Sequence, residues 1–297
     1  MEKNTTSAWR VMWKEIYSDK VALVGLILFC TIIAAVYIWA IFIDPTEANF
    51  VNLRFRHQPP GSEILPSGSA FWLGADSAGR PMLPQFILSA RNSFSIAFLI
   101  TIGGAIIGIT FGLFAGFYGG HVDNVLMRLL NFYTMIPNLM LIIVFIVLIP
   151  NYSVVTFSLL MIGLSAWLSS ATLLRIKALQ QGRLDYVAAS KTLGTPNIVI
   201  IFREVLPNLI SIIVSSLTLS LAANMGIETG LTFLGFGLPF GTPSLGRLIT
   251  YARTPANLTG RLWLWLPSAL LIIVMMLCIN FVGQALNRAA DAKKRTI

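Results

Sequence analysis

The sequence predicts an all-α integral membrane protein that crosses the bilayer six times, and three observations predict it. Hydrophobic residues make up 56% of the 297-residue chain and charged residues 11%, less than half the share of about 25% in an ordinary soluble domain. The apolar residues fall into six long blocks, and Lys and Arg gather in alternate segments between them. A helix rises about 1.5 Å per residue, so roughly 20 apolar residues cross a hydrocarbon layer of about 30 Å. The blocks are continuously apolar, without the alternation of barrel strands, so each should be helical.

The first span is expected at 21–43. It is too long for the apolar region of a cleavable signal, and no Ala-x-Ala site follows it, so it should remain as a membrane helix. The segment after it carries Arg54, Arg56, Arg80 and Arg91 together with Pro81 and Pro84, and two prolines there should break or kink any helix. The second span, 94–118, holds Gly104, Gly108, Gly112 and Gly116 at four-residue spacing. Such a ridge without side chains lets a neighbouring helix approach closely where lipid supplies no hydrophobic drive.

The third and fourth spans, 129–150 and 153–174, are uncharged, and the fifth, 209–234, contains the one charge within a span, Glu228. Asn224 lies one turn before it, and Gly226 and Gly230 repeat the small-residue spacing. Asn224 and Glu228 are candidates for a substrate path; alternatively Glu228 hydrogen-bonds a neighbouring helix through Asn224, Thr229 or serines. Between this span and the sixth, 262–286, the segment 235–261 has Pro239, Pro243, Pro255 and five glycines and should form a folded cap. Cys30 and Cys278 lie in apolar runs, outside any metal-ligand spacing, and read as buried small hydrophobes with no disulfide expected.

Placing both termini in the cytoplasm puts 14 Lys and Arg inside and 7 outside, the asymmetry that orients membrane proteins. The net charge of +9 then reflects cationic flanks, and no stripe suited to nucleic acid is present. The chain divides into an N-terminal segment, 1–93, with the first span and its outer loop, and a core of five helices, 94–297.

Within the core, the segment 183–208 is too polar to span and too patterned for a random loop. Tyr186, Ala189, Ser190 and Leu193 share a helical face, and Gly194 suits the left-handed residue that ends a helix. Thr195 and Pro196 fit an N-cap and first turn of a second helix, which Pro207 and Asn208 should close. Ile198, Ile201, Phe202 and Val205 lie on one face of that helix, which should pack on the spans and leave the first helix free.

This spacing resembles the cytoplasmic signature of binding-protein-dependent ABC permeases: a Glu-Ala-Ala triplet, three residues, Gly, and a later apolar-Leu-Pro. Gly194 and Leu206-Pro207 stand at the expected separation, while Ala188 takes the triplet's Glu position and Ser190 its second Ala. The segment Leu73 to Arg80, then Ser89-Ala90-Arg91-Asn92-Ser93, Ala115 to Gly120 with Asp123 and Arg128, and Glu228 to Gly237 are similar to motifs of the peptide-importer C-type subunits. In the first outer loop, Ala75, Pro81, Pro84, Gln85 and Ser89 replace the family's Thr, Asp, Ser, Arg and Gly.

The resemblance implies a type I ABC importer permease fold and a coupling helix that docks on an ATPase through Tyr186, Ala188, Ala189, Ser190, Lys191, Gly194, Leu206 and Pro207. It also implies an outer motif, Asp76, Gly79, Arg80 and Arg91, of which Arg80 and Arg91 should affect docking of a binding protein more than folding. The implied partners are a second permease, two ATPase subunits that carry ATP and Mg, an extracytoplasmic substrate-binding lipoprotein, membrane lipid, and an oligopeptide or dipeptide substrate. Nickel, glutathione or another small solute is the alternative cargo within the family. No cofactor or metal is expected on this chain.

The phosphate-cradling G-x-x-x-x-G-K-[ST] loop is missing, because no Gly-Lys dipeptide occurs. A proton- or ion-coupled secondary transporter is the rival reading, with Glu228 as its thin support. An intramembrane enzyme is the second rival, but His57 and His121 are the only histidines and neither has triad or metal spacing.

Overall fold

The computed structural model describes residues 8–62, 71–149, 151–239 and 241–295. Among them no strand forms, only isolated bridges at Ser62–Phe71 and Ala75–Pro81. Four helices are long and apolar enough to cross a membrane, and two bent pairs raise the number of spans to six.

Helix α1, Ala8–Ser18, was not expected from the sequence. Its Met12 and Ile16 are buried against Val282, Ala285 and Ala289 of the last helix. Asp19 ends this packing and caps α2, Lys20–Ile41, by accepting the N–H groups of Val21 and Ala22 at 2.9 and 3.2 Å. Arg288 binds both Asp19 and, at 3.5 Å, Glu15, which ties the two ends of the chain together. In α2 only Ala22, Gly25, Val36 and Ala40 are buried, as suits a helix that touches the bundle along one strip and lipid elsewhere. Cys30 lies on that exposed surface, contrary to expectation, while Cys278 is buried and both thiols are free.

Helix α3, Met82–Tyr118, begins twelve residues before the expected span, so the boundary drawn at 93/94 falls inside one continuous helix. The prolines do not break it. Pro81 is the N-cap residue and Pro84 lies in the first turn, where a missing N–H has no intrahelical partner to lose.

The third span is also corrected. Helix α4, Gly120–Met135, and helix α5, Asn138–Leu148, meet at 78°. Ile136, preceding Pro137, is extended at φ −89° and ψ 127°, the conformation that a following proline imposes. The expected end of this span, Pro150, lies outside the described residues.

Helix α6, Val154–Ala166, finishes in a π turn, and α7, Leu168–Gln181, continues at 41° to it. The glycine ridge of α3 lies against α7 and the end of α6. A Cβ on Gly104 would stand 2.6 Å from the Ala166 Cβ, on Gly108 2.5 Å from the Trp167 carbonyl, on Gly112 2.6 Å from the Ala171 carbonyl and on Gly116 2.3 Å from the Arg175 carbonyl. The ridge is therefore spent within the chain. Gly226 and Gly230 do not repeat it: Gly226 would meet only Met276 Cε at 3.2 Å, and Gly230 faces open space.

Helix α8, Asp185–Thr192, is short and exposed. Helix α9 then runs Asn197–Leu234, so Pro207 does not close a helix as expected. The turn Ile201–Val205 is π-helical, with the Leu206 N–H reaching back to the Ile201 carbonyl. This widened turn directly before Pro207 makes room for a ring that would clash in a regular α-helix.

Two small helices, α10, Leu245–Ile249, and α11, Pro255–Gly260, fold the segment after α9 into a cap. The last helix, α12, Leu266–Arg295, packs on α9, where a Cβ on Gly283 would meet Leu219 at 2.7 Å.

Candidate functional site

At one end of the bundle, α8 and the start of α9 form the expected helix, turn and helix. Gly194 has φ +80°, its N–H reaches the Lys191 carbonyl, and the Thr195 N–H reaches that of Ser190, both at 3.0 Å. These two bonds are the Schellman pattern that satisfies the last carbonyls of a helix. Thr195 is consumed in this way and does not cap the next helix; Pro196 holds the N-cap position without a side-chain bond.

The two helices are locked to each other and to the bundle. Ser190 donates to Glu204 Oε1 at 2.8 Å, and Tyr186 donates to Gln181 Oε1 at 2.7 Å. Val187, Ile200, Ile201, Val205 and Leu209 are buried in one cluster with Phe117 of α3. Of the four residues expected to pack from α9, Ile201 and Val205 are buried, but Ile198 and Phe202 are 45% and 50% exposed, and Ile200 takes their place. Lys191 lies over the Phe117 ring at 4.8 Å. The face expected to unite Tyr186, Ala189, Ser190 and Leu193 is split, with Tyr186 and Ser190 turned inward. The outward surface holds Ala188, Ala189, Thr192 and Leu193, the last 85% exposed. Leu206 is half-buried and Pro207 exposed on the far side of the same loop.

Nearby, Asp123 of α4 receives a paired hydrogen bond from Arg175 of α7, at 2.5 and 2.6 Å. It ties α4 to α7.

At the opposite end, the motif residues form a closed knot. The buried Asp76 carboxylate accepts the N–H groups of Ala78 and Arg80, the Arg80 Nε at 2.8 Å and the hydroxyl of Tyr251 at 3.0 Å. Gly79, at φ +77°, has no room for a side chain, since a Cβ would stand 1.8 Å from the Asn52 carbonyl. Burial lowers the Arg80 guanidinium, but the bond and charge of Asp76 outweigh it and raise it overall. Burial and Asp76 push Tyr251 up to about 12. Arg80 is thus held by Asp76 within its own loop, with its side chain still 27% exposed, and Asp76 ties that loop to Tyr251. Arg91 donates to its neighbour Asn92 at 3.2 Å and stays half-buried.

Asn224 and Glu228 face inward between helices. Asn224 donates to Thr101 Oγ1 of α3 at 2.9 Å. Glu228 is fully buried and accepts the Thr232 hydroxyl at 3.1 Å and that of Thr229 at 3.4 Å. Neither side chain lines a groove described below.

What the sequence reading missed is a cleft of about 480 Å³ between α7, α9 and α12, lined by Ser169, Lys177, Ser216, Ser220 and Asn287 among others. A second cleft of about 400 Å³ shares Lys177, Ile212 and Ala290 with it and continues to Gln180, Tyr186 and Asn208 beside α8. The signal was present: Ser216, Ser220 and Ala223 recur at helical spacing. Among the described residues no group of three His, Cys, Asp or Glu is placed to hold a metal.

Residues 108–296 match the family model described as binding-protein-dependent transport system inner membrane component, and residues 7–60 match the N-terminal TM domain of oligopeptide transport permease C. The chain is 37% identical to the oligopeptide transport system permease protein OppC of Lactococcus lactis, over 99% of this chain and 98% of that one. It is 33% identical to the permease protein AmiD of Streptococcus pneumoniae, over 97% and 90%, and 30% identical to the dipeptide transport system permease protein DppC of Haemophilus influenzae, over 95% and 93%. With its apolar helices, its exposed helical loop and a family match over most of its length, the chain belongs to the binding-protein-dependent transport system inner membrane components.

Proposed function

We propose that this chain is one of two permease subunits of an ATP-driven importer that carries oligopeptides or dipeptides across the bacterial cytoplasmic membrane. The observation that carries the reading is the rigid exposed helix α8, locked through Ser190–Glu204 and Val187 to the helix α9 that crosses the membrane. A push on α8 is therefore delivered to α9 as a body, which is what coupling to an external motor requires. The full-length relatives named as oligopeptide and dipeptide permeases support the cargo.

In this reading α8 and both termini face the cytoplasm, two ATPase subunits holding ATP and Mg dock on Ala188, Ala189, Lys191 and Leu193, and a second permease completes the path. A substrate-binding lipoprotein delivers cargo to the end capped by α10 and α11. The secondary-transporter reading loses its support, because Glu228 is enclosed by hydroxyl partners and lines neither cleft. The test is uptake of labelled di- to octapeptides by cells with and without the gene, together with co-purification of the subunits. Peptide uptake that needs the gene and ATPases that travel with the chain are expected; uptake driven by a proton gradient without ATPases would overturn the reading.

A further inference from the structure

We infer that the outward face of α1 binds the headgroups of anionic phospholipids in the leaflet where α2 begins. The inference goes beyond the importer reading and depends on neither its cargo nor its motor.

The core side of α1 is already occupied, because Met12 and Ile16 are buried against α12. Trp13 and Tyr17 are nevertheless 48% and 65% exposed, one turn apart, with ring centroids 5.9 Å from each other. Arg10, Lys14 and Lys20 are exposed as well, and positions 10, 13, 14 and 17 form one stripe of a helix. The two acids of this segment, Glu15 and Asp19, are instead paired with Arg288 of α12, so the stripe that carries the aromatic pair is cationic.

Two neighbours fix the level of this face. Helix α2 has 22 residues, about 33 Å of rise, which matches the hydrocarbon layer. Lys20 therefore stands at one boundary of that layer, and Ser18, the last residue of α1, only two residues outside it. On the other side, Met12 and Ile16 meet Val282, Ala285 and Ala289 of α12, just where its apolar stretch Leu266–Ala290 ends. Val21 and Val24, 55% and 63% exposed, open the lipid-facing surface directly after α1. Trp and Tyr favour the headgroup level, where their apolar bodies leave water and their N–H and O–H groups stay wet. Lys and Arg at the same level attract anionic headgroups. An aromatic pair flanked by cations and continuous with a lipid-facing helix thus fits a lipid of net negative charge.

The test places a photoreactive benzoylphenylalanine at position 17 of the chain within the whole assembly. The assembly is held in nanodiscs of phosphatidylglycerol and phosphatidylcholine in equal amounts, each with its own label. Illumination should give lipid adducts with phosphatidylglycerol in excess, on the order of tenfold. Lys14→Gln should lower that excess about fivefold, while Arg54→Gln, an exposed cation in the loop of the outer motif, keeps it. Raising salt from about 0.05 to 0.5 M should shrink the excess without any further substitution, which serves if the Lys14 variant fails to assemble. Equal capture of the two lipids, or an excess indifferent to salt, would overturn the inference. Adducts to protein subunits alone would overturn it too, by showing that a neighbouring subunit covers α1.

Discussion

Thr232 donates its hydroxyl to the Glu228 carboxylate at 3.1 Å while accepting the backbone N–H of Leu238 at 3.3 Å. The Thr232 hydroxyl already accepts from the backbone, so its proton is directed at Glu228. The carboxylate thereby pins the start of the cap to α9, while Ser93 of α3 holds a second point by accepting the Leu245 N–H at 3.1 Å.

Glu228→Gln should loosen that cap, since a neutral carboxamide oxygen accepts a hydroxyl proton more weakly than a carboxylate, and Glu228→Ala should loosen it more. The loss is on the order of 1–3 kcal/mol for a buried hydrogen-bonding group left without its partner. Limited proteolysis of segment 235–264 reads the effect. Equal resistance in the parent and both variants would show that the relay does not hold the cap.

Gly108→Val is expected to destabilise the bundle by about 1–3 kcal/mol, the usual cost of overpacking a close interface. Its Cβ would stand 2.5 Å from the Trp167 carbonyl and 2.8 Å from the Ser170 Cβ, so α3 and α7 must separate. Gly230→Ala, where the added methyl meets open space, should leave thermal stability in detergent unchanged or slightly raised. A matching fall in both variants would mean that the ridge is not what joins these helices.

The six apolar blocks were legible because hydrocarbon demands length and apolarity of any helix that crosses it, and the ridge because four-residue spacing can only be one helical face. The ends of helices were less legible. Pro81 and Pro84 read as breakers, yet a first turn has no N–H bonds to lose; Pro207 read as a stop, yet a π turn before it absorbs the ring; Pro137 escaped notice although it bends the third span by 78°. A proline's effect depends on its position in the helix, which local sequence leaves open. Glu228 was visible as the one intraspan charge and Thr229 as a partner, while Thr232, one turn on in the same helix, was overlooked. The cleft between α7, α9 and α12 was not legible at all, because it exists only once those helices are packed.

The segment around His57 should weaken as pH falls. His57 adopts φ +56°, and its Nδ1 is buried without a partner among the described residues. Burial, then the charges of Arg261 and Arg56, lower its pKa from the ordinary 6.5, against a smaller opposing pull from Asp76. The folded chain thus resists a proton that the unfolded segment accepts at about 6.5. The contribution is complete above that pH and is lost as pH drops through and below it. His57→Asn, which tolerates the left-handed backbone, should flatten the pH dependence between roughly 5 and 7 in a proteolysis assay. A dependence that persists in the variant would assign it to another group.

Gly194→Val and Ala189→Arg separate the geometry of α8 from its surface. Nothing lies within 4 Å of a Cβ placed on Gly194, so the penalty is not a clash but the backbone at φ +80°, which costs a β-branched residue on the order of 1–2 kcal/mol. The strain sits in the Schellman turn between α8 and α9, far from the ridge that joins the spans. Gly194→Val should therefore insert and pair normally while transport collapses, and Gly194→Asn should keep part of it. Ala189 is exposed, so Ala189→Arg adds volume and charge at a face with no internal neighbours and should leave thermal stability intact. Its effect should be confined to the docked complex, as weakened ATPase co-purification and lost receptor-stimulated hydrolysis. If Ala189→Arg kept both while Gly194→Val abolished transport, the loop would matter for the permease fold and not as a docking surface, and the ATPase contact would have to lie elsewhere on this end of the bundle.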